Sequence, residues 1–244
     1  MRLLIAMAGM IIPLLALQGG TMAGFESDRF PTSAGELEIT FIGHGTLMAA
    51  WNGRIVHIDP VSAEADYSRM PKADLILVTH EHSDHLDPAA VASVRKPGTV
   101  LVYTAACSRK VPGGKVLGNG ETLTAAGIGI EAVPAYNILR ERAPGVPFHP
   151  KGVGNGYVLT FGNLRVYVAG DTEGIPEMKS LKHIDVAFLP MNLPYTMKPE
   201  EVAEAARAFQ PRILYPYHYG DTDTSLLSGL LAGSGIEVRV RSLK

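Results

Sequence analysis

Leu75-Ile76-Leu77-Val78-Thr79-His80-Glu81-His82-Ser83-Asp84-His85-Leu86-Asp87 joins an uninterrupted apolar run to a cluster of histidines and carboxylates. Four consecutive branched residues suit a strand buried on both faces. Asp87-Pro88 followed by Ala89 to Val94 reads as an N-cap, a first-turn proline and a short helix. The polar residues therefore occupy the exit of a strand, a position where packing gives imidazoles no role. Neutral imidazole and carboxylate are the donors that borderline divalent ions prefer. In a turn, His80 and His82 can converge on one ion while Asp84 and His85 reach a second.

On either side the pattern is dense. Leu37 to Ile42 alternates like a half-buried strand, and Asn52-Gly53 between two apolar runs is a strong hairpin signal. Further strands are expected at Val100–Tyr103, Ile128–Val133, Tyr157–Phe161, Leu164–Val168, Val186–Leu189 and Ile213–Tyr215. Pro199-Glu200-Glu201 opens a helix that places Val202, Ala205, Ala206 and Phe209 on one face. A helix over Ser225–Leu231 and a strand over Glu237–Val240 close the chain. Hairpins early and strand–helix alternation later predict mixed sheets covered by helices. The segment from Tyr136 to Gly154 is long, irregular and rich in placed polar residues, the profile of a functional loop.

Composition narrows the function. The 244 residues carry a net charge of −2, which argues against binding nucleic acid by phosphate neutralisation. A single cysteine, Cys107, excludes a disulfide framework and any thiolate-rich metal site. Arg2, an apolar run from Leu3 to Leu17 and small residues up to Ala23 read as a signal peptide over residues 1–23, with an uncleaved anchor as the alternative. The run is short for a span and holds Pro13, so no stable membrane insertion is expected once the leader is removed. A secreted or periplasmic location follows, with the folded domain over residues 36–244.

The His-x-His-x-Asp-His run resembles the signature of the metallo-β-lactamase superfamily. Other segments fall in the matching order: Asp59 after a strand in Ile58-Asp59-Pro60, Asp171 in Gly170-Asp171-Thr172, and His218 after the strand at Ile213–Tyr215. Gly43-His44-Gly45 and Phe188-Leu189-Pro190 look most like the branch of ascorbate-phosphate lactonases and N-acyl-phosphatidylethanolamine phospholipase D. The resemblance implies an αββα four-layer sandwich, two mixed β-sheets flanked by helices, with two divalent metal ions at the strand ends.

It also implies roles. His80, His82 and a further histidine would hold one ion, Asp84, His85 and His218 the second, and Asp171 would bridge them. The family's intervening histidine is missing from Pro134-Ala135-Tyr136-Asn137, so His149 is the expected ligand and Asn137 the alternative, as a ligand or a substrate contact. Asp59 would steady a ligand imidazole. Asp84 and His44 would take part in catalysis, and Lys151 and Tyr195 would contact substrate. Iron-dependent redox relatives carry glutamate where His82 stands, so zinc, or manganese, and hydrolysis are expected. The substrate would be a small molecule with an ester, lactone, amide or phosphodiester bond. A metal-binding module without turnover and a β-lactamase are the alternatives, and the oligomeric state is open.

Overall fold

The structure, a computed structural model, describes residues 24–244, so the expected leader lies outside the described residues. Two seven-stranded sheets form its centre. The first runs in chain order: β1 (Glu26–Thr32), β2 (Gly35–Gly43), β3 (Thr46–Trp51), β4 (Arg54–Ile58), β5 (Leu75–Leu77), β6 (Val100–Tyr103) and β7 (Lys115–Val116). It is antiparallel through β4 and parallel from β4 to β7. Asn52 and Gly53 both take left-handed φ (49° and 71°) in the β3–β4 hairpin, the backbone that a twist-matched two-residue turn requires.

The second half opens with β8 (Thr122–Ala125) and β9 (Ile128–Ala135), then a small hairpin, β10 (Glu141–Ala143) with β11 (Val146–Pro147). It continues through β12 (Gly154–Phe161), β13 (Leu164–Val168), β14 (Val186–Pro190), β15 (Ile213–Tyr217) and β16 (Glu237–Val238). The second sheet has the order β16-β15-β14-β13-β12-β9-β8, parallel from β13 to β16 and antiparallel elsewhere.

Alternation along the antiparallel strands sends one set of side chains into a shared core. Phe41, Leu47 and Ile58 from the first sheet meet Ile130, Leu159, Phe188 and Tyr215 from the second. The outer face of the first sheet packs on α1 (Pro88–Val94) and α2 (Ala105–Ser108), through Ile76, Val78, Val91, Val94 and Cys107. The outer face of the second packs on α3 (Pro199–Phe209) and α4 (Ser225–Leu230), through Ala187, Leu189, Val202, Ala206 and Leu227. These layers make the αββα sandwich. Asp87 caps α1 as its sequence indicates, accepting from the Ala89 N–H at 2.8 Å.

The domain begins earlier than expected. β1 lies ahead of Glu36 and pairs along its length with β2, burying Phe30 opposite Leu37. Its remaining residues are largely polar and include Pro31, a composition suited to an edge strand and easily taken for a linker. Among the described residues, no helix is long and apolar enough to cross a membrane.

Candidate metal centre

The polar residues singled out in the sequence gather at one end of the sandwich because the strands that carry them end there. His44 follows β2, Asp59 follows β4, His80 to His85 follow β5, Asp171 follows β13 and His218 follows β15. His44, Asp59 and His218 take left-handed φ of 49°, 47° and 50°. Such conformations are uncommon for residues with a Cβ and turn the chain sharply at the strand exit. Gly170 does so at φ 66°, where an added Cβ would lie 2.7 Å from the Asn155 carbonyl oxygen; the Gly170-Asp171 step therefore needs glycine.

Hydrogen bonds assign the free nitrogen of three imidazoles. The Thr79 hydroxyl donates to Asp59 Oδ2 at 2.6 Å, so at 3.0 Å it accepts from His80 Nδ1. His85 Nδ1 donates to Asp59 Oδ2 at 2.8 Å. Asn137 directs its Nδ2 to Glu173 Oε1 and the Tyr195 carbonyl, which leaves Oδ1 to accept from His149 Nδ1 at 2.8 Å. Each ring thus keeps its Nε2 lone pair, the arrangement in which a partner on the far nitrogen fixes a metal-ligating tautomer. His82 is turned the other way, with Nδ1 3.2 Å from His80 Nε2.

The freed nitrogens converge on Asp171. One carboxylate oxygen lies 3.2 Å from His149 Nε2, 3.4 Å from His218 Nε2 and 3.9 Å from His80 Nε2, and the other lies 3.3 Å from His85 Nε2. Burial opposes its charge, but His218 and His85 hold the carboxyl well below the usual range. Burial and the neighbouring rings push His80 and His82 below the ordinary histidine range, leaving them neutral. His85 is drawn upward by Asp171 and Asp59 despite its burial.

A metal fits this donor set. His80, His82 and His149 present ligand atoms within 4.8 Å of one another, as do His44, Asp84, His85 and His218, and as do His80, His85 and Asp171. His85 Nε2, His218 Nε2 and Asp171 Oδ1 are buried and make no hydrogen bond. Buried polar atoms without partners are costly, and a cation held among these three would satisfy them.

The expected residues divide into those that meet here and those that do not. His149 enters the cluster, while Asn137 stands behind it, buried and hydrogen-bonded to its ring, in contact with neither cleft nor substrate space. Asp59 sits under His85 and Thr79, accepting from the Thr79 N–H at 2.7 Å and from His85 Nδ1 at 2.8 Å. His44 Nε2 is 3.3 Å from Asp84 Oδ2, and its ring lies 3.7 Å from that of His218. Tyr195 lines the open cleft of about 760 Å³ above the cluster, edge-on to Phe148 at 5.1 Å. Lys151 does not line this cleft: its ammonium is held by Glu177 and the Tyr136 hydroxyl.

One carboxylate and two cations near the site carry no strong sequence signal. Buried Glu173 accepts from Asn137 and from the backbone N–H groups of Ile138, Leu139 and Arg140, clasping the loop that orients His149. Its spacing two residues after Asp171 is the only sequence signal for it. Arg142 and Lys110 line the cleft beside Asp84 and His149.

This fold, with this cluster at its strand ends, defines a metal-dependent hydrolase of the metallo-β-lactamase fold. The sequence profile of the Beta-lactamase superfamily domain matches residues 38–218, and the chain belongs to that family. A UPF0173 metal-dependent hydrolase of Methanoculleus marisnigri is 34% identical over 190 residues, covering 75% of this chain and 81% of that protein. A crystal structure from Parabacteroides distasonis, assigned to the metal-dependent hydrolases, matches with a TM-score of 0.87 and 54% identity over 90% of this chain and 100% of that one. Igni18, a metallo hydrolase of Ignicoccus hospitalis, matches at 0.69 with 25% identity over 85% of this chain and 95% of its own.

Proposed function

We propose that the protein is a dinuclear hydrolase, zinc-dependent with manganese as the alternative ion, acting on an ester, lactone, amide or phosphodiester bond of a small molecule. His80, His82 and His149 would hold one ion, Asp84, His85 and His218 the second, and Asp171 would stand between them. The observation that carries the reading is Asp171, whose carboxylate faces imidazoles of both sets at 3.2–3.9 Å. Two such ions would supply a water of lowered pKa and stabilise negative charge developing on the substrate.

The chain's own residues handle the proton and the orientation. Asp84 is half exposed to the cleft, and its Oδ2 lies 3.3 Å from His44 Nε2 and 3.6 Å from His218 Nε2. Burial raises its pKa, but the neighbouring His218 and His44 imidazoles outweigh that and hold it ionised, able to orient water and accept its proton. His44, in contact with that oxygen, is placed to pass the proton toward a leaving group. Asp59 and Asn137 keep the ligand rings in register.

Metal analysis and turnover test the reading together. The purified protein should bind two ions per chain and cleave at least one member of a panel of 4-nitrophenyl esters, lactones and bis(4-nitrophenyl) phosphate. Asp84→Asn should keep the fold and lower turnover by at least about 100-fold, the scale of a positioned acid–base group. One ion per chain, or full activity in the variant, rejects the dinuclear assignment. Two ions with no turnover across the panel would favour the binding module.

A further inference from the structure

The cleft above the cluster holds two cations that the proposed reaction does not use. Lys110 and Arg142 both line it, and neither has a carboxylate within ion-pair distance among the described residues. Arg142 stands on β10, its guanidinium donating to the Phe148 carbonyl at 2.6 Å and lying 5.9 Å from the centre of the Phe148 ring. Lys110 donates to the Glu81 carbonyl at 2.6 Å. Both heads are thus tethered by neutral carbonyls, which fix their positions and leave their charge uncompensated.

The position of Arg142 relative to His82 sharpens this. Arg142 Nη2 lies 3.5 Å from His82 Nε2. A guanidinium has no lone pair to offer. His82 Nδ1 is turned inward toward His80 at 3.2 Å, and were it to bind an ion, Nε2 would carry the ring proton. With an ion on His82 Nδ1 as proposed, Arg142 Nη2 and His82 Nε2 would both be donors, and an acceptor between them would satisfy both. The carboxylates that line the same cleft, Asp84 and Asp171, belong to the proposed ion sites.

We propose that Arg142, seconded by Lys110, binds an anionic oxygen group of the substrate, a carboxylate or a phosphate, and so selects substrates charged beside the scissile bond. The inference rests on the hydrolase reading and deepens it. A planar guanidinium matches two oxygens of such a group at once. Its carriage on a small hairpin makes it a specificity element that sits apart from the ligand strands.

The test compares two esters that share a leaving group, 4-nitrophenyl butyrate, which is neutral, and mono-4-nitrophenyl glutarate, which is anionic. The zinc-loaded wild type should favour the glutarate in kcat/KM. Arg142→Gln should lower the glutarate-to-butyrate ratio by about 10- to 100-fold, chiefly through KM, the worth of one charge-assisted hydrogen bond. Arg142→Lys should recover part of the ratio, because it keeps the charge and loses the fork. Lys151→Gln, a cation outside the cleft, should leave the ratio unchanged. A proportional fall for both esters would assign Arg142 to holding the hairpin and overturn the proposal, as would an unchanged ratio.

If neither ester is cleaved, the ester-hydrolase reading fails while this inference is still decided by calorimetric binding. Inorganic phosphate and glutarate, titrated separately into the zinc-loaded protein, distinguish the two oxyanions. Binding of either that weakens about tenfold or more in Arg142→Gln sustains the inference; equal binding of both in the two proteins overturns it.

Discussion

Gly45→Ala should weaken the proposed second ion site without replacing a ligand. The backbone at Gly45 is not left-handed, so alanine meets no conformational barrier there. The obstacle is His85: the new Cβ would stand 2.6 Å from Cε1 and 3.0 Å from Nδ1 of its ring. Carbon atoms rest at about 3.5–4.0 Å, so the ring must retreat by roughly 1 Å. It has little room to do so. Nδ1 is bonded to Asp59 at 2.8 Å, the His80 ring lies 4.2 Å away and the His218 ring is stacked at 5.2 Å. Metal–ligand distances tolerate only about 0.2 Å. The expected result is an overpacking loss of about 1–3 kcal/mol and second-ion affinity reduced about 10- to 100-fold, the scale seen when ligand support is disturbed. Chelator-stripped protein would be titrated with zinc against a chromophoric competitor, with urea unfolding alongside. Gly229→Ala in α4, where no atom lies within 4 Å of the added Cβ, should bind zinc as wild type does. Two sites of undiminished affinity in Gly45→Ala would refute the steric argument and with it the placement of His85 at the second ion.

Asn137→Ala removes the acceptor of His149 Nδ1 and should weaken the first ion site by about 10- to 100-fold in the same titration. Asn137→Asp restores an acceptor but sets a carboxylate against Glu173, whose Oε1 is 3.2 Å from the present amide nitrogen; it should unfold at lower urea than the alanine variant. His57 is buried, donates to the Pro71 carbonyl, and is pushed by burial down to about 4. In the unfolded chain it titrates near 6.5, so the unfolded state gains the proton first as pH falls. Its contribution is complete above about pH 6.5 and is lost toward pH 4, about 3 kcal/mol in all. In chelator-treated protein, His57→Gln should shrink the acid-side drop in unfolding free energy by about that amount. An identical pH profile in the two proteins would sink this assignment.

The sequence made the site's strands readable because the chemistry sits at their exits. The apolar run at Leu75–Val78, the Asn52-Gly53 turn and the Asp87-Pro88 cap each encode their structure within a few neighbouring residues. His149 was harder, since its selection over Asn137 depends on two chain segments meeting: its backbone N–H and Nδ1 both bond to Asn137 Oδ1. Asn137 fills the place in the fold where a ligand was sought and does a different task there. Glu173 was invisible for the same reason, because the loop it clasps is remote in sequence and bonded mainly through backbone N–H groups. Lys151 misled because a loop cation carries no sign of where its partner lies; Glu177 claims it. Arg142 lies on the short β10–β11 hairpin, which has no apolar pattern to announce it.

The ligand residues come from both halves of the sandwich. His80, Asp84 and His85 follow a strand of the first sheet, and Asp171 and His218 follow strands of the second. An ion held between them acts as a rivet through the two sheets at one end, where the shared apolar core gives way to charge. Its removal would loosen that end first, leaving the opposite end held by the Trp51–Phe161 packing and by the Ser33 N–H bond to Asn163 Oδ1. Amide exchange near Thr79 and Gly170 would then report occupancy, so the molecule's resistance to opening becomes a gauge of the metal supply around it.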